Sequence, residues 1–125
     1  MSQDFEQISV KPGFMKHNGG LLFKTIIKEN HLNAAGITHG GFIAAVVDAG
    51  AGTAAHKSAN NNPCVTISLE LKFISVVKLG QELIGNTKIQ KKTKSMIFLT
   101  CELNVEGKIV ATASGVWKIL KLPGG

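Results

Sequence analysis

The chain has 125 residues and a formal net charge of +6, with 14 Lys and Arg against 8 Asp and Glu. This length suits a single domain, residues 1–125, and an apolar share of 44% with 18% charged residues excludes intrinsic disorder. No apolar run reaches the roughly 18 residues of a membrane span, and residues 1–20 carry no apolar block typical of a signal peptide. We therefore expect one cytoplasmic domain with no membrane partner.

The excess of lysines favours an anionic partner through long-range attraction. Four of them are bunched at Lys88, Lys91, Lys92 and Lys94. With no Tyr and one Trp, the chain lacks the stacking surface of a protein that binds single-stranded nucleic acid. The charge thus indicates a phosphorylated small molecule rather than nucleic acid, although a solvated turn would also account for the lysines.

The two cysteines, Cys64 and Cys101, stand alone in apolar stretches, with no Cys-x-x-Cys pair and no His at zinc-ligand spacing. Both are interpreted as reduced core residues, and no metal site is predicted.

The first half of the chain predicts one strand, one loop and one helix. Residues 21–29 follow the turn-like segment 17–20 and are rich in Leu, Phe and Ile, which indicates a strand, and residues 30–38 form a loop. The fourteen residues of Phe42–Ala55 contain a single charge, Asp48. Because that run is too long for a typical strand and too short for a membrane span, it predicts a buried central helix.

The second half predicts four strands. Val65, Ile67, Leu69, Leu71 and Phe73 alternate with polar residues, which is typical of a half-buried strand. Strands are further expected over 82–90, 97–105 and 109–119, with turns at 78–81 and at Glu106-Gly107. We expect these four strands to form an antiparallel meander. The fold class is then α+β, with a sheet wrapped around one long apolar helix.

Candidate chemistry concentrates where the loop enters the helix. Gly40 and Gly41 leave backbone N–H groups uncovered at a helix start, where the helix dipole is positive, so an oxyanion could bind there. A glycine pair that only eases a tight turn is the alternative interpretation. His39 and Asn33, taken singly, are each typical of an ordinary loop residue.

Asp48 is the strongest single indication, because an unpaired carboxylate buried in a helix costs several kcal/mol. It can serve as a base or a nucleophile, or it can be a structural residue bonded to a hydroxyl such as that of Thr53. Small residues surround it on the helix, namely Ala44, Ala45, Ala51 and Gly52. They favour either close packing of the sheet or a second copy of the chain that brings its own glycine loop to this carboxylate.

The spacing Asn-x-x-Gly-x-x-His-Gly-Gly from Asn33 to Gly41, with Asp48 nine residues after the His, resembles a known signature. It is similar to that of hotdog-fold acyl-CoA thioesterases of the phenylacetate-degradation type, within the 4-hydroxybenzoyl-CoA thioesterase superfamily. The similarity continues through 65–67, 78–80 and 94–95 into the closing strands. It implies a homodimer joined by a continuous sheet, often doubled to a homotetramer, with active sites between subunits.

The resemblance also implies roles for individual residues. Asp48 would be general base or nucleophile at the thioester carbonyl, and the Gly40 N–H would polarise that carbonyl. Asn33 and His39 would orient water or substrate from the opposite subunit, and Thr66 would place the attacking water. Substrate would further be bound by Gly41 and, at the phosphates of coenzyme A, by Lys91, Lys92, Lys94 and Ser95. Coenzyme A enters only as part of the substrate, and no other cofactor is implied.

Simple alternation places Thr66 on the polar face of its strand, opposite Val65 and Ile67, so a bend is needed to bring it to the site. The predicted function is hydrolysis of an acyl-CoA to free coenzyme A and a carboxylic acid. A non-enzymatic acyl-CoA sensor on the same fold is the alternative. A third candidate is a dehydratase of the same fold that acts on acyl thioesters. It would pair the histidine at the helix entry with a carboxylate differently, and the His-Gly-Gly arrangement argues against it.

Overall fold

The computed structural model describes residues 9–15 and 21–121 of the chain, and the predicted turn over 17–20 lies outside them. Six strands and one long helix, α1 (Gly40–Ser58), are present in this part, which confirms the α+β class. The strand Ser9–Met15 was not predicted from the sequence. The strands are β1 (Ser9–Met15), β2 (Leu21–Ile26), β3 (Cys64–Phe73), β4 (Glu82–Lys92), β5 (Met96–Val105) and β6 (Lys108–Ile119).

The strands form one antiparallel sheet in the order β1-β2-β4-β5-β6-β3. The meander is confirmed for β4, β5 and β6, but its extension to β3 is wrong, because β3 pairs with β6 at the far end of the sheet. The connection over 74–81, between β3 and β4, is hydrogen-bonded to the segment that follows β2. Thr38 N–H donates to Val77 O, and Ile27 exchanges backbone hydrogen bonds with Gly80 and Gln81. It therefore crosses to the β2 side, where β4 begins.

The helix lies across the inner face of the sheet and buries one side. It extends beyond the predicted bounds at both ends, beginning at the glycine pair. Within residues 9–15 and 21–121, no helix is long and apolar enough to cross a membrane. The buried side consists of Phe42, Ile43, Val46, Val47, Gly50, Ala51, Ala54 and Ala55.

The opposite side of α1 is open in the single chain. Gly41 and Asp48 are exposed there, and Ala44, Ala45 and Gly52 are half-buried. The predicted central helix is therefore buried on one side in a single chain, since the sheet covers only part of its circumference. Ala51 faces the core, whereas the other small residues near Asp48 face outward.

A β-bulge in β3 changes which residues face the helix. Thr66 pairs with Trp117 and Ser68 pairs with Val116, so Ile67 is the extra residue. Because Trp117 is buried in the core, its partner Thr66 lies on the helix side of the sheet. Val65 and Ile67 are instead 44% and 51% exposed, which corrects the prediction that they face the core. The bulge supplies the bend that Thr66 needs.

Candidate active site

Asp48 lies in the middle of α1, on its open side, directly beside β3. Thr66 Oγ1 donates a hydrogen bond to Asp48 Oδ1 at 2.6 Å. Thr53, the structural partner considered from the sequence, donates its hydroxyl to Ala49 O at 2.9 Å instead. Asp48 is thus oriented by one hydroxyl while its carboxylate stays exposed in the single chain. This geometry suits a group that meets a ligand better than one that ties the core together.

The start of α1 presents backbone N–H groups. His39 is the N-cap residue, and its carbonyl accepts hydrogen bonds from the N–H groups of Phe42 and Ile43 at 3.1 and 3.2 Å. The N–H groups of Gly40 and Gly41 belong to the first turn, which has no acceptors within a helix, at the positive end of the dipole. A Cβ at Gly41 would meet nothing within 4 Å, so this position is open to an approaching oxygen.

Asn33 shapes the loop that leads into the helix. Its Oδ1 accepts hydrogen bonds from the N–H groups of Ala35 and Ile37, at 2.9 and 3.3 Å. Gly36, with φ of +78°, completes this turn in a conformation that favours glycine. Because the carbonyl oxygen holds the loop, the amide –NH₂ of Asn33 is the part that can donate to a ligand. Asn33 and Gly40 line the same cleft.

His31 anchors this loop, a role that no motif in the sequence indicated. Its ring stacks on Phe42 with centroids 3.8 Å apart, and its Nδ1 accepts a hydrogen bond from Lys28 N–H at 2.9 Å. The carbonyl of His31 also accepts from His39 N–H at 2.9 Å. Buried His31 therefore fixes the helix start, whereas the side chain of His39, the predicted site histidine, is exposed.

One chain holds two separate groups of site residues. Asp48 and Thr66 are in contact, and Asn33 and Gly40 share a cleft at the helix start. Gly40 and Asp48 are eight residues apart on one straight helix, which is roughly 12 Å along its axis. A nucleophile must lie within about 3–3.5 Å of the carbonyl carbon that it attacks, and an oxyanion donor within about 3 Å of the carbonyl oxygen. Gly40 and Asp48 of the same chain are therefore too far apart for Asp48 to attack a carbonyl that Gly40 N–H holds.

The predicted phosphate-binding residues lie at the other end of α1. Strand β4 is longer than the predicted 82–90, so Lys91 and Lys92 are its last residues. Lys94 and Ser95 follow in the turn. Lys92 Nζ donates to Ser58 O at 2.6 Å and so caps the last turn of α1. Lys92 thus lies at the C-terminal end of the helix, opposite the end that carries Gly41, and Lys91, Lys94 and Ser95 are its neighbours in the chain.

The cysteines do not contribute a ready nucleophile. Both are free, Cys101 buried and Cys64 half-buried. Burial raises the pKa of Cys101 to about 12 and also raises the pKa of Cys64, which nearby Lys92 opposes. In the part of the chain that the structure describes, no three His, Cys, Asp or Glu side chains come close enough to hold a metal ion. The available chemistry is that of a carboxylate, a hydroxyl and backbone N–H groups.

Comparisons with known proteins agree with the resemblance seen in the sequence. Residues 35–111, more than half of the chain, match the thioesterase superfamily. A candidate esterase of Pseudomonas aeruginosa is 35% identical over 74% of this chain and 70% of its own length. Human acyl-coenzyme A thioesterase 13 is 27% identical over 74% of this chain and 68% of its own.

The fold is also similar to solved structures. The crystal structure of zebrafish thioesterase superfamily member 2 superposes with a TM-score of 0.84 at 20% identity. The superposition covers 96% of this chain and 86% of the zebrafish chain.

Proposed function

The chain belongs to the thioesterase superfamily, and from this premise we propose that it hydrolyses acyl-CoA thioesters to free coenzyme A and a carboxylic acid. The hydrogen bond from Thr66 to Asp48 carries the proposal, because it orients an exposed carboxylate on the open face of the helix. The name of the human relative, an acyl-coenzyme A thioesterase, supports coenzyme A as the leaving group.

The chemistry needs two groups that this fold supplies. Asp48 acts as a general base that removes a proton from water, or as a nucleophile that attacks the thioester carbonyl. Gly40 N–H, aimed at the carbonyl oxygen, stabilises the negative charge that develops there. With Asp48 as base, the oxygen of water bonds to the carbonyl carbon, the C–S bond breaks, and the thiolate of coenzyme A takes up the proton as it leaves. With Asp48 as nucleophile, the C–S bond breaks to leave an acyl–Asp48 anhydride, which water then hydrolyses to the carboxylic acid and free Asp48. Thr66 keeps the reacting oxygen of Asp48 in place.

The site is completed by a second copy of the chain. Because Gly40 and Asp48 of one chain are roughly 12 Å apart, we assign the oxyanion donor to a partner. Strand β3 ends the sheet of described strands, and its Thr66 contacts Asp48 on the open side of α1. Antiparallel pairing of β3 with its own copy would extend the sheet and set the two helices antiparallel. Asn33, His39 and Gly40 of the partner subunit would then approach Asp48.

The remaining predicted contacts are with the cofactor portion of the substrate. Lys91, Lys92 and Lys94 lie close together in the chain, Lys92 contacts the end of the helix, and we assign all three, with Ser95, to the phosphates of coenzyme A. The carbonyl oxygen that Lys92 contacts is neutral, so the charge of Lys92 is not cancelled by an acid.

Release of free thiol from a panel of acyl-CoAs tests the function. Asp48→Asn keeps the shape of the side chain and removes its basicity, so hydrolysis should fall about 100-fold or more. Glu102→Gln is the matched control, because Glu102 is an exposed carboxylate on the outer face of the sheet. Equal rates for wild type and Asp48→Asn would remove Asp48 from the mechanism. Binding of acyl-CoA without any thiol release by the wild type would favour the sensor.

A further inference from the structure

A cleft of about 320 Å³ opens beside the start of α1, between the loop that precedes the helix and the segment that follows β3. Its volume lies at the small end of the usual range for ligand pockets, roughly 300–1,000 Å³. Gly40 and Asn33 form part of its wall, so it adjoins the N–H that we assign to the thioester carbonyl. Its apolar side chains are Ile37, Ile43, Phe73, Ile74, Val76 and Val77.

Three of these side chains lie in water in the single chain. Phe73, Ile74 and Val76 are 55%, 58% and 53% exposed, and they are nearly consecutive. A contiguous apolar patch of this kind is typical of a surface that a ligand or a partner covers. Ile43 and Val77, in contrast, are buried and give the cleft a fixed floor.

The described wall of the cleft carries no charged side chain. Its polar side chains, Asn33, Thr38 and Ser75, are all uncharged; the Thr38 hydroxyl donates to Val77 O at 2.6 Å, and Asn33 Oδ1 holds its own loop. A ligand group with a carboxylate would find no cation here to replace its hydration. Burial of such a group is costly, whereas an apolar group would exchange water for apolar side chains.

We infer that this cleft binds the acyl group of the substrate and selects uncharged, apolar acyl chains over those that end in a carboxylate. The inference rests on the proposed function, because the acyl carbon chain begins at the carbonyl that Gly40 N–H would polarise. Phe73 is the specificity-determining side chain. A Cβ at Gly40 would lie 3.3 Å from Phe73 Cζ, so the ring covers the glycine and forms the wall closest to the carbonyl.

Binding of stable thioether analogues tests the inference without any need for hydrolysis. Calorimetry would compare coenzyme A with S-hexyl-CoA and with S-(5-carboxypentyl)-CoA, whose chains have the same number of carbon atoms. We expect the hexyl group to tighten binding at least about tenfold over coenzyme A, and the carboxypentyl group not to tighten it. Equal affinity of the two thioethers, or no gain from the hexyl chain, would overturn the inference.

Two variants locate the effect. Phe73→Ala should reduce the gain from the hexyl chain about tenfold, while the matched control Phe98→Ala, on the outer face of the sheet, should leave it unchanged. Val76→Lys places an ammonium group at an exposed position of the cleft and should reverse the preference in favour of the carboxypentyl analogue. A Val76→Lys protein that still prefers the hexyl chain by the wild-type factor would place the acyl group elsewhere.

The outcomes separate this inference from the proposed function. If the wild type prefers S-hexyl-CoA but releases no thiol from any acyl-CoA, the inference about the acyl cleft stands and the proposed hydrolase activity is refuted. If it hydrolyses hexanoyl-CoA and the carboxylate-ended analogue with equal kcat/KM, the proposed activity stands and the inference about the acyl cleft is refuted.

Discussion

Mixing two inactive variants tests whether each active site draws on two chains. Asp48→Ala removes the carboxylate. Asn33→Asp keeps the Oδ1 acceptor that holds Ala35 and Ile37 N–H, so the loop should survive, but it removes the –NH₂ donor. If Asp48 of one subunit works with Asn33 of the other, a hybrid dimer contains one site with both residues intact and one site with both changed.

The expected recovery follows from the geometry. Random association of equal amounts of the two variants makes about half of all dimers hybrid, and each hybrid has one intact site of two. Thiol release should therefore reach roughly one quarter of the wild-type rate in the unfractionated mixture and roughly one half in purified hybrid dimers. If Asp48 acted with Asn33 of its own chain, every site would carry one lesion and nothing would be recovered.

The assay uses the two variants co-expressed with different affinity tags, so that hybrids are isolated and their mass measured. Asp48→Ala mixed with Thr66→Val is the matched control: these residues are in contact within one chain at 2.6 Å, so no hybrid site has both intact. Purified hybrids of Asp48→Ala and Asn33→Asp with no more activity than their parents would refute the shared site. The measured mass would also distinguish a dimer from a tetramer.

Two further predictions concern single side chains. Thr66→Val removes the hydroxyl that orients Asp48, so kcat should fall about tenfold or more with little change in Tm. The control Thr112→Val, on the other face of the sheet, should leave kcat unchanged. A Thr66→Val enzyme of wild-type rate would contradict the role of this hydrogen bond. Burial raises the pKa of Cys101 from 9.0 to about 12, so the unfolded chain loses this proton at a lower pH than the folded chain does. The contribution of Cys101 to the free energy of unfolding should therefore not change below pH 9. Between pH 9 and pH 12 the free energy of unfolding should fall by about 1.4 kcal/mol per pH unit. Urea titrations under reducing conditions at pH 8, 9 and 10 should show this slope relative to Cys101→Ala, and parallel curves for the two proteins would contradict it.

The sequence by itself determined the class of elements and the family, and it predicted the residues of the site. A run of fourteen residues with one charge could only be a helix in a chain of this size, and the alternation in β5 correctly placed Ile97, Leu99, Cys101 and Leu103 on the buried face. The motif from Asn33 to Asp48 also identified the family, because its spacing reflects local requirements: a loop, a helix start and a helix face. The roles of these residues in catalysis stay predictions.

Only the tertiary structure decided what pairs with what. The position of β3 beside β6 depends on where the connection over 74–81 is bonded, and no local pattern in β3 records its neighbour. The bulge at Ile67 turns Thr66 towards Asp48 and Val65 away from the core, which strict alternation could not show. Exposure of Asp48 likewise follows from how far the sheet wraps the helix. These are long-range facts, set by the packing of segments distant in sequence, and they place Asp48 with Thr66 and Asn33 with Gly40 in two separate groups.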